Sequence, residues 1–370
     1  MLVRWLVCRA VKNLKKEKKG RRAMAKKLLI DREELNRRIA LPLEEKIKWA
    51  IERYLDYLET YHNVGVYVSF SGGKDSQVLA DIIDRLHAGE MMQYLEKEYL
   101  FFYKLYVKDK PAPPKVFCDT GLEFPEIRTH VKKFENVTWL KPKMLWVDVV
   151  QNIGFLIGSK KVSRMITDIR NPTDTNKNSR TLYLTGIKMD GTKSKSFKLA
   201  NIWRKLIDAD FKVSGKCCDI FKKEPFHRFE KETKRKPMAA TTTSEGDMRR
   251  ISYMQTGCNS FGDKPMSRPL SIFTEENIWA YADLKNIRFA DVYYERDIEF
   301  LEDDGQLTIV RVEGEKRTGC MFCLIGQPKQ IEKRIDRLRI THNKQWKFLM
   351  DGKIGMRNVL EYIGIKSKLF

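Results

Sequence analysis

The sequence of 370 residues contains no apolar run long enough to span a bilayer, so it points to no membrane helix. Its opening, residues 1 to 11, is apolar but short and is interrupted by Arg4 and Arg9; it does not read as an export signal, and a cytoplasmic location is expected. Cysteine is scarce. Seven unevenly spaced residues do not suggest a secreted disulfide scaffold. No internal repeat is found. Acidic residues are also in short supply, 49 against 71 Lys and Arg, and the resulting charge of +22 favours polyanionic partners, with DNA or RNA the leading candidate. The 42% hydrophobic content argues against wholesale disorder, and the length suffices for one large or two moderate domains.

What is present is organised around residues 66 to 76. Val66-Tyr67-Val68-Ser69-Phe70 has the composition of a strand, Ser71-Gly72-Gly73 permits a tight turn, and Lys74-Asp75-Ser76 opens an apolar pattern of helical period through Ile83. Free N–H groups in such a loop and in the first helical turn, with Ser71, Ser76 and Lys74, can converge on phosphate or sulfate oxygens. The glycine spacing fits neither the dinucleotide fingerprint nor the longer Walker loop. A second stretch, Val116-Phe117-Cys118-Asp119-Thr120-Gly121, again reads as a strand running into a turn.

Together these stretches resemble the PP-loop ATP pyrophosphatase superfamily, and within it the phosphoadenosine phosphosulfate reductase family, over about residues 46 to 346. The resemblance implies nucleotide binding by Ser69, Ser71, Gly72, Gly73, Lys74, Asp75 and Ser76 from the first motif and by Asp119, Thr120 and Gly121 from the second. It also implies an α/β fold, a mainly parallel sheet flanked by helices. That fits the alternation of apolar patterns at 43–58, 66–70, 78–86, 116–118, 126–136, 137–140 and 147–156. Residues 1–45 are expected to form a basic, partly helical extension, 46–250 the nucleotide-binding core with insertions, and 251–370 a cysteine-rich region completing the site. Lys15, Lys16, Lys18, Lys19, Arg21 and Arg22 give the extension its charge, which suits either a nucleic-acid-binding arm or a solvated tail.

Four cysteines form two close pairs, Cys217-Cys218 and Cys320-Met321-Phe322-Cys323. Four soft ligands suit zinc or an iron–sulfur cluster, and spacing alone leaves both open. Members of the resembled family that act on adenylyl sulfate hold a 4Fe-4S cluster on such a set, so the resemblance implies a cluster on Cys217, Cys218, Cys320 and Cys323. Between the pairs, Glu245-Gly246-Asp247-Met248-Arg249-Arg250 resembles the family's segment at the substrate mouth. Arg249 and Arg250 become candidate catalytic anion clamps beside Lys74 and Asp75, and Lys160, Arg164, Glu245 and Arg249 candidate substrate contacts. Cys258 is a candidate sulfur carrier, with burial as a small hydrophobe the plainer alternative. Thr274 is placed to cap a helix, with Asn277 where a capping box usually has Glu or Gln.

Two chemistries follow. In the first, ATP with Mg²⁺ adenylates an acceptor, nucleic acid among the candidates, pyrophosphate leaves and sulfur is transferred with help from the cluster. In the second, adenylyl sulfate or phosphoadenylyl sulfate is reduced to sulfite. The relatives that reduce sulfate carry a redox cysteine near the C-terminus, whereas no cysteine follows Cys323 here, which favours the first. A sulfur or electron donor and a second copy of the chain are further expected partners. A noncatalytic nucleotide-binding or nucleic-acid-binding module is the reading of a different class.

Overall fold

The structure, a computed structural model, describes residues 28–301, 305–351 and 354–365. The basic stretch of residues 12–27 and the opening segment lie outside these. Helix α1, Leu43–Tyr61, buries Ile47, Ala50, Ile51, Tyr54, Leu55 and Leu58, whose spacing of one, three and four residues places them on one face. Glu44 and Glu45 in its first turn complement the positive end of the helix dipole. The chain then enters β1, Val66–Ser69, passes the glycine turn and continues as α2, Lys74–His87. The insertion at 89–113 packs over the core through Tyr94, Tyr99 and Tyr103.

Next come β2 at Lys115–Cys118, α3 at Pro125–Val131, β3 at Val137–Leu140, α4 at Trp146–Asn152 and β4 at Ile157–Gly158. Pro125 stands at the start of α3, where its missing N–H costs nothing. Helices α5 (Lys160–Arg170), α6 (Lys177–Thr185) and α7 (Glu224–Thr233) lead to β5, Lys236–Ala239. The remainder holds α8 (Asp247–Thr256), β6 (Asn259–Ser260), β7 (Met266–Ser267), α9 (Glu275–Leu284), β8 (Arg296–Leu301), β9 (Leu307–Val312), β10 (Leu324–Ile325) and α10 (Pro328–Thr341), followed by two further helices.

The main sheet has the order β3-β2-β1-β5-β7-β6. Its pairs are parallel except β6–β7, which is antiparallel, with Asn259 opposite Ser267. This arrangement puts the C-terminal ends of β1 and β2 side by side, with both motif loops leaving the same edge. Two small sheets flank it, β4 parallel to β10 and β8 antiparallel to β9.

The expectation of a fold dominated by a mainly parallel sheet is corrected: helix accounts for 51% and strand for 12%, around a small mixed sheet. The four strands β1, β2, β3 and β5 are only four residues long, whereas the connections between them carry the long amphipathic runs. Residues 182–185 close helix α6, and a hairpin-like turn falls just beyond it between Ile187 and Lys193. The cap at Thr274 is also more complete than its sequence suggests. Asn277 Oδ1 accepts the Thr274 N–H at 3.0 Å while the Asn277 N–H donates to Thr274 Oγ1 at 3.3 Å, so asparagine closes the box that glutamate usually closes.

A third local device holds the segment after α6. The Arg170 guanidinium donates to the carbonyl oxygens of Leu206, Ile207, Ala209 and Phe211 at 2.6 to 2.9 Å and fixes the path of that loop against α5.

Candidate functional site

The loop between β1 and α2 is closed by its own serines. Ser76 Oγ accepts the Ser71 N–H at 3.2 Å, lies 3.1 Å from Ser71 Oγ and donates to the Gly73 carbonyl at 2.9 Å. Gly72 has φ +70°, and a Cβ there would stand 2.4 Å from Val131 Cγ2 on α3, so both conformation and space require glycine. Lys74 is buried, its ammonium donating to the Lys316 carbonyl at 2.7 Å and pairing with Glu275 at 3.2 Å. The Tyr293 hydroxyl stands over the start of α2, accepting the Lys74 N–H at 3.4 Å and lying 2.6 Å from Thr318 Oγ1. Residues 316–318 thus form a strap across the loop. Burial pushes the Asp75 carboxyl upward, with Lys74 opposing.

In the second motif, Asp119 accepts the Gly121 N–H at 3.2 Å and pairs with Arg128 at 2.8 Å. Thr120 is anchored on Glu123 through both its N–H and its hydroxyl. Between the motifs opens a cavity of about 340 Å³ whose walls include Tyr67, Ser69, Ser71, Phe117, Thr120 and Phe226. Aromatic walls beside hydroxyl and loop N–H groups suit a planar base joined to an anionic tail. Cys118 also lines this cavity, but its thiol donates to the Phe221 carbonyl at 3.3 Å and burial pushes it up to about 12, so it is a poor nucleophile there.

A second cavity, of about 500 Å³, adjoins the first: Lys222 and Gly319 line both. Its wall carries Cys218, Cys320 and Cys323 among the basic groups of Arg317, Lys333 and Arg337. The Cys323 N–H donates to the Cys320 carbonyl at 3.2 Å, so the Cys-x-x-Cys segment is one hydrogen-bonded turn. The Cys320 sulfur beside it pushes the Lys222 ammonium upward against the cost of burial. Burial holds the Cys320 thiol at about 11, and burial together with the neighbouring sulfurs holds Cys217 at about 12.

The four cysteines therefore share one neighbourhood, yet they do not form a metal site. Among the described residues, no group of three or more His, Cys, Asp or Glu side chains is placed to hold a metal ion. The expected 4Fe-4S cluster on Cys217, Cys218, Cys320 and Cys323 is corrected on this ground; Cys218, Cys320 and Cys323 line the cavity, whereas Cys217 is not part of its wall. Asp75 and Asp119 belong to no such group either, so the described side chains form no metal site for the Mg²⁺ expected with ATP. The iron–sulfur enzyme of ATP-dependent adenylation and sulfur transfer is set aside with them.

The remaining candidates scatter. Arg249 pairs with Glu245 at 3.1 Å and lines a small cleft with Arg268 and Tyr253. Arg250 donates to the Thr243 carbonyl at 3.3 Å. Lys160 reaches Asp219 at 3.8 Å, and Arg164 reaches Asp168 at 3.6 Å. Cys258 is buried, accepts the Trp49 indole N–H at 3.2 Å and lines a third cavity that shares no wall residue with the other two. His342, unassigned from sequence, is buried against Glu126 at 3.0 Å, and Arg296 reaches the same carboxylate at 3.1 Å.

Sequence reasoning missed Lys222, Tyr293 and Phe226. Lys222 had one usable signal, a position four residues after Cys218 in a helical stretch; Tyr293 had none, because it reaches the loop from 219 residues away.

The sheet and its flanking helices make this an α/β fold with a glycine loop and a helix start at the strand ends, and comparison with solved structures adds a distant likeness. The structure bears a distant resemblance to the crystal structure of phosphoadenylyl-sulfate (PAPS) reductase from Candida auris in a phosphate complex. The TM-score is 0.30 and the identity 12%, over 74% of this chain and 93% of that one. No family model and no curated protein matches the sequence. Among the described residues, no helix is long and apolar enough to cross a membrane.

Proposed function

We propose that the chain binds adenylyl sulfate or phosphoadenylyl sulfate and reduces its sulfate to sulfite at the expense of thiols. The observation that carries this reading is the common wall of the two cavities, in which Lys222 and Gly319 separate an aromatic-walled chamber beside the phosphate loop from a basic chamber lined by cysteines. A base and ribose held in the first would direct an anionic tail past Lys222 toward the sulfurs of the second. The thiolate of Cys323 attacks the sulfate sulfur, the bond from that sulfur to the phosphate oxygen breaks, and the nucleotide leaves with the electron pair. The S-sulfocysteine formed is then attacked at its cysteine sulfur by the other thiolate of the turn. A disulfide forms, sulfite departs with the bonding pair, and an external dithiol reduces the disulfide. Lys222 supplies positive charge where the sulfate oxygens lie. This route assigns the thiol role to the Cys-x-x-Cys turn and needs no cysteine beyond it.

The test is sulfite release from each of the two nucleotides in the presence of a dithiol, for the wild type and for Cys320→Ser and Cys323→Ser. Sulfite from the wild type that is lost in both variants supports the reading; equal sulfite in all three overturns it. The engagement of Lys74 by Lys316 and Glu275 favours one competing reading, a module that binds nucleotide without turning it over. Tight nucleotide binding with no sulfite from the wild type would promote that reading.

A further inference from the structure

We infer that the segment from Lys161 to Arg204 presents a docking face for single-stranded nucleic acid. The positive charge of the chain is not evenly spread. Residues 151–223 carry 16 Lys or Arg against 6 Asp or Glu, and residues 1–27 carry 11 against 1, so these two stretches hold +20 of the total +22 and the rest of the chain is close to neutral.

Within the first of these stretches a set of contacts draws basic side chains around one turn. Beyond α6, Ile187 and Lys193 pair as an antiparallel bridge, closed by the Lys188 N–H donating to the Thr192 carbonyl at 2.9 Å. Lys198 lies beside Gly186, where an added Cβ would come within 3.1 Å of its own Cβ. Lys161 donates to the Ser196 carbonyl, and its ammonium lies 4.3 Å from the centroid of the Phe197 ring. Arg204 donates to the Leu184 carbonyl at 3.0 Å. These contacts gather Lys161, Lys193, Lys195, Lys198 and Arg204, all exposed, around a single turn. None of the five is in an ion pair among the described residues; Asp190 is the one acidic side chain on the turn itself.

Charge alone would fit any polyanion, and a solvated face would also carry lysines. The apolar side chains decide the class. Phe197, Ile187 and Met189 stand 45%, 44% and 84% exposed among these lysines, contacts that suit unstacked bases and that a duplex, with its bases turned inward, leaves unused. The face is also close to the cysteine-lined cavity. Strand β4 runs directly into α5 and pairs with β10, which follows Cys323, and Lys160 at the start of α5 reaches Asp219 beside Cys218. The inference stands independently of the reductase reading, because it rests on residues that line neither cavity.

The test is fluorescence anisotropy of the full chain with labelled oligouridine and oligothymidine of ~20 nucleotides, a duplex of the same length and anionic phosphatidylserine vesicles. Binding to the single strands is expected to weaken steeply from ~50 to ~200 mM salt. The combined variant Lys193→Gln, Lys195→Gln, Lys198→Gln should lose roughly tenfold or more in affinity, with a salt slope shallower by ~0.7 for each phosphate contact removed. Phe197→Ala should lose roughly fivefold with its salt slope unchanged, the mark of lost stacking. A parallel variant, Lys15→Gln, Lys16→Gln, Lys18→Gln, separates this face from the N-terminal stretch. The inference is overturned if the wild type fails to bind the single strands, if only the N-terminal variant weakens binding, if the duplex binds as tightly as the single strands, or if the vesicles bind in their place.

Discussion

The glycine loop and the cysteine cavity lie side by side but are built in opposite ways. The loop is contiguous in sequence, from Val66 through Ser76, and closes through hydrogen bonds spanning at most five residues. The cavity gathers Phe124, Cys218 and Lys222, the stretch from Glu315 to Ile325, and one side of α10, which are brought together from distant parts of the chain. A site of the first kind is set by local backbone geometry. A site of the second kind exists only once the whole chain has packed, and its chemistry depends on spatial relations that no spacing rule expresses.

This contrast can be tested from either side. The largest expected effect is on turnover: Cys320→Ser should lower sulfite formation by about a thousandfold or more while nucleotide affinity stays within about twofold, measured by product assay and calorimetry. Next is a pair of glycine substitutions. Gly72→Ala meets Val131 at 2.4 Å in a left-handed conformation and should destabilise the fold by about 3 kcal/mol, whereas a Cβ on Gly319 meets nothing within 4 Å, so Gly319→Ala should change stability by less than about 0.5 kcal/mol. Urea unfolding of both reads the difference, and equal costs would erase the contrast. Lys74→Ala should weaken nucleotide binding about tenfold with the fold retained; unchanged affinity would show that its contacts to Lys316 and Glu275 are purely structural.

The smallest effect is on pH. Cys118 and Tyr293, each on one side of the loop, are both pushed up to about 12 by burial, above ordinary values near 9 and 10. The folded chain therefore holds these protons more tightly than the unfolded chain. The stability they contribute is full below about pH 9 and is lost as the pH rises toward 12, on the order of 1 kcal/mol at first. A melting temperature that stays level from pH 9 to 11 would contradict this.

Much of the loop was legible because its information is local. A β-prone run, two glycines and a helical period locate β1 and α2 at Val66–Ser69 and Lys74–His87. The balance of helix and strand was misjudged because apolar alternation reports that strands exist and says little about their length. Here the central strands stop after four residues and the helical connections carry the mass. The cysteine pairs were visible as pairs, but a ligand set requires sulfurs aimed at one point, and among the described residues no three are so placed, Cys217 standing outside the wall that the other three line. The strap of Lys316 and Thr318 over the loop left no trace in the sequence, since Tyr293 and Thr318 are ordinary residues until the fold sets their hydroxyls 2.6 Å apart.

The clamp made by Arg170 bears on how this chain can change over generations. Its four partners are main-chain oxygens, so the side chains at positions 206, 207, 209 and 211 are not read by the guanidinium. Substitutions at those four positions leave the hydrogen bonds intact so long as the backbone keeps its path, whereas the carboxylates of Asp208 and Asp210 favour the charge of the guanidinium against its burial. The side chains at these positions can therefore change while the main-chain scaffold that the guanidinium holds is inherited unchanged.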